Sequence, residues 1–206
     1  MKLILPLFIL LAAACANAKV EIQTYKKNFS WNNAWNDSIA SELDLQSELM
    51  IMSGKIDNDD LKELGCLGYN SVTDNDLKKD FWVVFFSALT RAESAFNLKA
   101  RSHANHGLLQ LARSTAKNQC GLNTLKDIGD ADKHLRCGVQ LMSWQLEGAP
   151  NSRGRQLRPD LKGQLFGKYI LLWGPLRQND KSGRALLTGW FKKHLDQLPF
   201  CAEKPV

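Results

Sequence analysis

From residue 81 to residue 86 the chain runs Phe-Trp-Val-Val-Phe-Phe with no polar break. A run that is apolar on all sides belongs to an element buried on all sides. A short apolar run fits a buried strand as well as a helix, and the flanks decide between them. Leu89 and Ala92 extend the helical frame, and Thr73, Asp74 and Asn75 offer N-cap side chains, with Asp76 in the first turn. The pattern therefore predicts a central helix from Asp74 to Ala95.

Other segments follow the helical period less densely. Ile39, Leu43, Leu45, Leu49 and Met50 predict a helix from Ser38 to Met52, ended by Ser53-Gly54. Asp57 to Leu67 reads as a second, short helix with acids at its positive end. Ser114 to Gln119 is a short helix stopped by Gly121. Asp130 to Glu147 carries Leu135, Val139, Met142 and Leu146 on one face and stops at Gly148. Leu161 to Leu172 reads as a helix with Leu165, Tyr169 and Leu172 on one face, punctuated by Trp173-Gly174-Pro175. Arg184 to Leu195 closes the fold. Residues 19–35 read as a polar, aromatic arm, and 150–159 as an arginine-rich loop. Alternating strand patterns are scarce, so the fold class is mainly α.

The N-terminus changes the setting of this fold. Lys2 precedes an apolar run from Leu3 to Ala14, and Ala16-Asn17-Ala18 offers a cleavage site. That is the layout of a secretory signal peptide, and the run is short for a membrane span. Cys15 after three alanines loosely resembles a lipidation site, but Ala12 stands where leucine is usual. Soluble export is the favoured reading. Four cysteines follow the signal: Cys66, Cys120, Cys137 and Cys201. An even count in an exported chain reads as two disulfides. Three pairings are open, and Cys120–Cys137 with Cys66–Cys201 is the favoured one. No two cysteines have C-x-x-C spacing, so structural zinc is disfavoured.

Composition adds a partner class. Charged residues at 23% and hydrophobic ones at 44% exclude a largely disordered chain. The net charge of +6 favours an anionic partner. Export disfavours nucleic acid and points to cell-wall polymer or a lipid surface.

The chemistry concentrates after the apolar helix. Glu93 falls at its end, where lost hydration raises a carboxyl pKa and suits a general acid. Glycoside cleavage needs such an acid to protonate the leaving oxygen. A glutamate at a solvated helix end would look the same in sequence. The stretch around it narrows the choice. Glu93-Ser94, Phe96-Asn97, Ser102, Gly107-Leu108-Leu109-Gln110-Leu111 and Ser114-Thr115-Ala116 occur in the order and near the spacing of one family. In these elements the chain resembles the soluble lytic transglycosylases (SLT), relatives of goose-type lysozymes. Leu98 stands where that family commonly has proline.

The resemblance implies a lysozyme-like helical domain with a substrate cleft. It covers about thirty residues strongly, and the helical pattern extends it. It implies that Glu93 is the catalytic acid and then base, and that Ser102, Gly107 and Gln110 contact the glycan. Ser94 is expected to tether the helix end. The family's later Tyr-Asn pair is absent. Gly174-Pro175 fits that region, and Tyr169 is its nearest tyrosine, read either as a substrate contact or as core. Asp127, Asp130 and Asp132 are candidates for a second carboxylate, against a reading as caps or solvated charges. His103 and His106 fit the rim of a sugar cleft better than a metal site. Trp144 and Trp173 are candidates for sugar stacking, with core packing favoured. Arg153, Arg155 and Arg158 are candidates for contact with an anionic wall.

The resulting expectation divides the chain into a signal peptide (1–18), an arm with helices packed on the domain (19–72), and a lysozyme-like transglycosylase domain (73–206). The expected activity is cleavage of the MurNAc-GlcNAc β-1,4 bond of peptidoglycan by a secreted or periplasmic monomer, with no cofactor and no metal. Two rivals come from other classes. One is a non-catalytic wall-binding or inhibitor module on the same fold. The other is a cationic membrane-active protein, which lacks the long amphipathic cationic helix it would need.

Overall fold

The computed structural model describes residues 19–22, 30–148, 158–170 and 172–202. The proposed signal, Cys15, Arg153 and Arg155 lie outside the described residues. Eight α-helices, five short 3₁₀ segments and one small sheet make up the regular structure there. The helices are α1 (Ala34–Leu45), α2 (Met50–Ser53), α3 (Asn58–Leu64), α4 (Asn75–Ser94), α5 (Arg113–Cys120), α6 (Leu125–Ile128), α7 (Ala131–Leu146) and α8 (Lys181–Lys192). The strands β1 (Arg101–Ser102), β2 (Asn105–His106) and β3 (Leu111–Ala112) form an antiparallel sheet in sequence order.

Helix α4 is the axis of the fold, as its apolar run requires. Phe81 to Phe86 are all fully buried. The Asp74 side chain caps the helix by accepting the amides of Asp76 and Leu77. Around α4 pack α1, α8 and the short 3₁₀ turn Gly174–Leu176. The core is continuous from Val20 and Ile22 to Phe200 and Cys201. The N-terminal arm is thus part of the packing. Lys19 N–H donates to Asp80, and the Asn36 amide donates to the Val20 carbonyl.

Disulfides join Cys66 to Cys201 and Cys120 to Cys137, the pairing favoured from the sequence. They suggest an extracytoplasmic location. No helix among the described residues is long and apolar enough to cross a membrane.

Two helix expectations are corrected. The segment from Ser38 to Met52 is not one helix. Helix α1 stops at Leu45 and α2 begins only at Met50, and both Leu45 and Leu49 face solvent. The described residues between Leu161 and Leu172 are not α-helical. A 3₁₀ turn at Pro159–Leu161 gives way to irregular chain. The physical reason lies far away in sequence. The Asp60 carboxylate of α3 accepts the amides of Leu165 and Phe166 at 2.7 and 3.1 Å, in place of helical carbonyls. Gly163 has a φ of 79°, which breaks a right-handed helix.

Candidate active site

Glu93 stands in the last turn of α4, and the chain then bends sharply. Ala95 and Phe96 both take left-handed backbone conformations, with φ of 52° and 67°. Such conformations are strained for residues with a Cβ and persist only where packing enforces them. Phe96 supplies that packing. Its ring makes edge contacts with Trp31 of the arm and Trp190 of α8, at centroid distances of 6.1 and 5.3 Å. The Ser94 hydroxyl donates to the Thr90 carbonyl at 3.2 Å, tethering the helix end.

The Glu93 carboxyl is partly buried, and its pKa is raised to about 7. Lost hydration is the largest cause, and the nearby Asp180 carboxylate adds to it. The Gly174 N–H and the Arg177 guanidinium pull the other way. Oε1 of Glu93 is buried and has no hydrogen-bond partner among the described residues. An unpaired buried acceptor is costly and is seldom left so without a purpose.

The loop after α4 forms a hairpin and then a tight turn. Ser102 on β1 faces Asn105 on β2, and Ser102 is exposed. His103 lies exposed at the hairpin turn with a φ of 53°. Gly107 to Gln110 make the turn between β2 and β3. The Gln110 backbone N–H and side-chain amide both donate to the Gly107 carbonyl, at 3.2 and 2.9 Å. The Gln110 side chain is thereby spent within the turn.

His134 of α7 holds that turn from behind. It is fully buried, and burial lowers its pKa to about 4. The ring is therefore neutral. Its Nε2 accepts the Leu109 N–H at 3.2 Å, so its Nδ1 carries the hydrogen and donates to the Ile128 carbonyl at 2.9 Å. A Cβ on Gly107 would come within 2.6 Å of the His134 ring, and its φ of 74° also suits only glycine. Trp173 is buried, and its indole N–H donates to the Leu109 carbonyl at 3.0 Å. The next residue is Gly174, beside Glu93. One chain of contacts thus links the Gly107–Gln110 turn to the Glu93 carboxyl.

The other sequence candidates fall elsewhere. Asp127 closes a capping box with Thr124 and pairs with Lys133 at 2.6 Å. Asp130 caps α7, and Asp132 pairs with Arg136. These engagements fit the reading of the three as caps or solvated charges, and none of them is among the groups that shift the Glu93 carboxyl. The group beside Glu93 is Asp180, which sequence reading missed. Its position shortly after Gly174-Pro175 was the available signal.

Tyr169 is 47% exposed in a turn after Gly167, so it is neither helical nor core. Its ring is faced by the Arg158 guanidinium at 4.7 Å and the Lys168 ammonium at 5.6 Å. Arg158 also forms an exposed pair with Asp160. Trp173 is core, as favoured, whereas Trp144 is exposed at its edge. Among the described residues no cluster of three His, Cys, Asp or Glu could hold a metal.

Two hollows flank these elements. One of about 370 Å³ is lined by Lys99, Arg101, His106, Gly107 and Ile128. Another, of about 570 Å³, is lined by Lys168, Ile170, Arg177, Gln178 and Asn179.

Residues 71–158 match the family model of the transglycosylase SLT domain. The residues that carry the resemblance, Glu93 to Ala116, all lie within the matched stretch. The match supports a lytic transglycosylase-type enzyme that acts on peptidoglycan. Solved structures of Bd0314 DslA share the fold. One glutamate-to-glutamine variant of it has a TM-score of 0.59 at 21% identity, over 82% of this chain and 91% of that one. The wild-type form has a TM-score of 0.56 at 23% identity, over 78% and 89%. None of the curated proteins matches this chain.

Proposed function

We propose that this protein is an exported peptidoglycan glycosidase. It cleaves the MurNAc-GlcNAc β-1,4 bond of glycan strands with Glu93 as general acid and then base. One observation carries the reading. A carboxyl with its pKa raised to about 7 and an unpaired buried oxygen stands at a strained helix end within an SLT domain. Such a group holds its proton near neutral pH and can give it to a glycosidic oxygen.

In this reading the Glu93 proton passes to the leaving oxygen as the C1–O bond breaks. The carboxylate then takes a proton from the attacking hydroxyl as the new C1–O bond forms. That hydroxyl is the muramyl C6 group in transglycosylation and water in hydrolysis. Ser102, Gly107 and Gln110 support the glycan from the hairpin and turn, Gln110 by fixing the turn. Tyr169 offers its exposed half. Residues 73–206 form the catalytic domain, with 19–72 packed on it and 1–18 removed on export. The protein acts as a monomer.

Glu93→Gln tests the reading, because it keeps the shape and removes the transferable proton. The variant should fold and should release soluble muropeptides from purified sacculi at least about a hundredfold more slowly. Release at the parent rate would refute the assignment.

A further inference from the structure

The approach of two carboxyl groups around Gly174 carries an inference that rests on the glycosidase reading. Asp180 is the N-cap of α8. Its Oδ1 accepts the Gly183 N–H at 2.9 Å and faces the Ser182 hydroxyl at 3.3 Å. Capping needs only one oxygen. The other, Oδ2, is turned toward Gly174. A Cβ placed on Gly174 would lie 2.8 Å from Asp180 Oδ2 and 3.9 Å from Glu93 Oε1. Both oxygens therefore lie within 4 Å of one point. Glycine at 174 leaves that space open, and a Cβ on Gly183 would meet the same Asp180 carboxylate. Two glycines make room for one carboxylate, and α8 fixes its direction.

We propose that Asp180 is the second carboxyl group of this site, a positioning residue whose fixed charge across Gly174 keeps Glu93 in its proton-bearing form. Two carboxylates this close in a partly buried site do not readily ionise together. The same repulsion acts after the first step. Once Glu93 has given its proton to the leaving oxygen, it becomes a second anion beside Asp180. Recovery of a proton from the attacking hydroxyl removes that repulsion. Asp180 thus keeps Glu93 loaded with its proton before the first half and makes it a stronger base in the second.

The other charges around α4 are committed or opposed. Asp44 of α1 pairs with Lys79 at 2.8 Å, and Glu42 of α1 faces Arg136 at 3.6 Å. Arg184 of α8 pairs with Glu63 at 3.2 Å. Arg91 lies in the last turn of α4 itself. Arg177, just after the 3₁₀ turn, acts on Glu93 in the opposite sense to Asp180.

Asp180→Asn is the decisive variant, because asparagine retains a capping side chain while losing the charge. The Glu93 carboxyl carbon would be titrated by NMR in parent and variant, and muropeptide release would be followed against pH. The Glu93 midpoint should fall by about one pH unit. Release near pH 8 should fall about tenfold, while release near pH 5 stays within about twofold. Asp180→Glu should restore part of the midpoint, and Arg177→Gln should move it upward. Equal midpoints in parent and Asp180→Asn would overturn the proposal. A shifted midpoint in a protein that releases no muropeptides would support the pair and remove the glycosidase reading instead.

Discussion

The indole N–H of Trp173 donates to the Leu109 carbonyl across 3.0 Å, and so ties the Gly107–Gln110 turn to the segment beside Glu93. The bond is buried, so removing the donor strands a carbonyl away from water. Trp173→Phe should lower stability by about 2 kcal/mol through that carbonyl and the lost ring volume. It should also loosen the turn relative to Glu93 and reduce muropeptide release more than the stability loss explains. Denaturant unfolding and release rates at low temperature, where both proteins are folded, check this.

Gly107 meets His134 with no room to spare. Gly107→Ala would force a Cβ into the imidazole and hold alanine at a φ of 74°. The expected cost is about 2 kcal/mol or more. The mixed test pairs Gly107→Ala with His134→Ala, which removes the obstructing ring. The two changes should be less than additive in urea unfolding, because they relieve one clash.

Much of this site was legible from local sequence, and its limits have a physical cause. The apolar run, the Asp74 cap and the position of Glu93 are all local, and the structure keeps them. The Leu161 to Leu172 expectation failed because its amides are bonded by Asp60, a carboxylate more than a hundred residues away. Periodicity has no access to such a competitor. His134 was invisible for a like reason. A lone histidine on an apolar helix face gives no hint of which backbone groups its two nitrogens meet. Asp127, Asp130 and Asp132 all lie nearer to Glu93 in sequence than Asp180 does. Only the folding of α8 against α4 shows which acid is near in space.

The two disulfides should differ in their contribution. Cys66–Cys201 spans 135 residues and Cys120–Cys137 spans 17. Restricting the unfolded chain is worth more for the longer loop, about 5 against about 3 kcal/mol. Cys66→Ser with Cys201→Ala should therefore lower the urea midpoint more than Cys120→Ser with Cys137→Ala. Cys66–Cys201 also joins the start of the 3₁₀ segment Leu67–Ser71 to the C-terminal turn Pro199–Ala202, so amide exchange should rise first in those segments.

Glu93 should make the fold less stable as pH rises. Its pKa goes from 4.5 in the unfolded chain to about 7 in the fold, so the native state holds the extra proton between those values. Stability from this group is complete below about pH 4.5 and is lost as pH rises through 7. Asp60, raised from 3.8 to about 6 mainly by burial, acts in the same sense over a lower window. His134 acts oppositely. Its pKa is lowered from 6.5 to about 4, so the unfolded chain binds its proton first and stability falls as pH drops through that range. Glu93→Gln removes only the first contribution. The variant should match the parent near pH 4.5 and exceed it by up to about 3 kcal/mol above pH 7. Urea unfolding of both proteins at pH 4.5, 6 and 8 measures this. A gap that stays constant with pH would show that Glu93 ionises in the fold as it does in water.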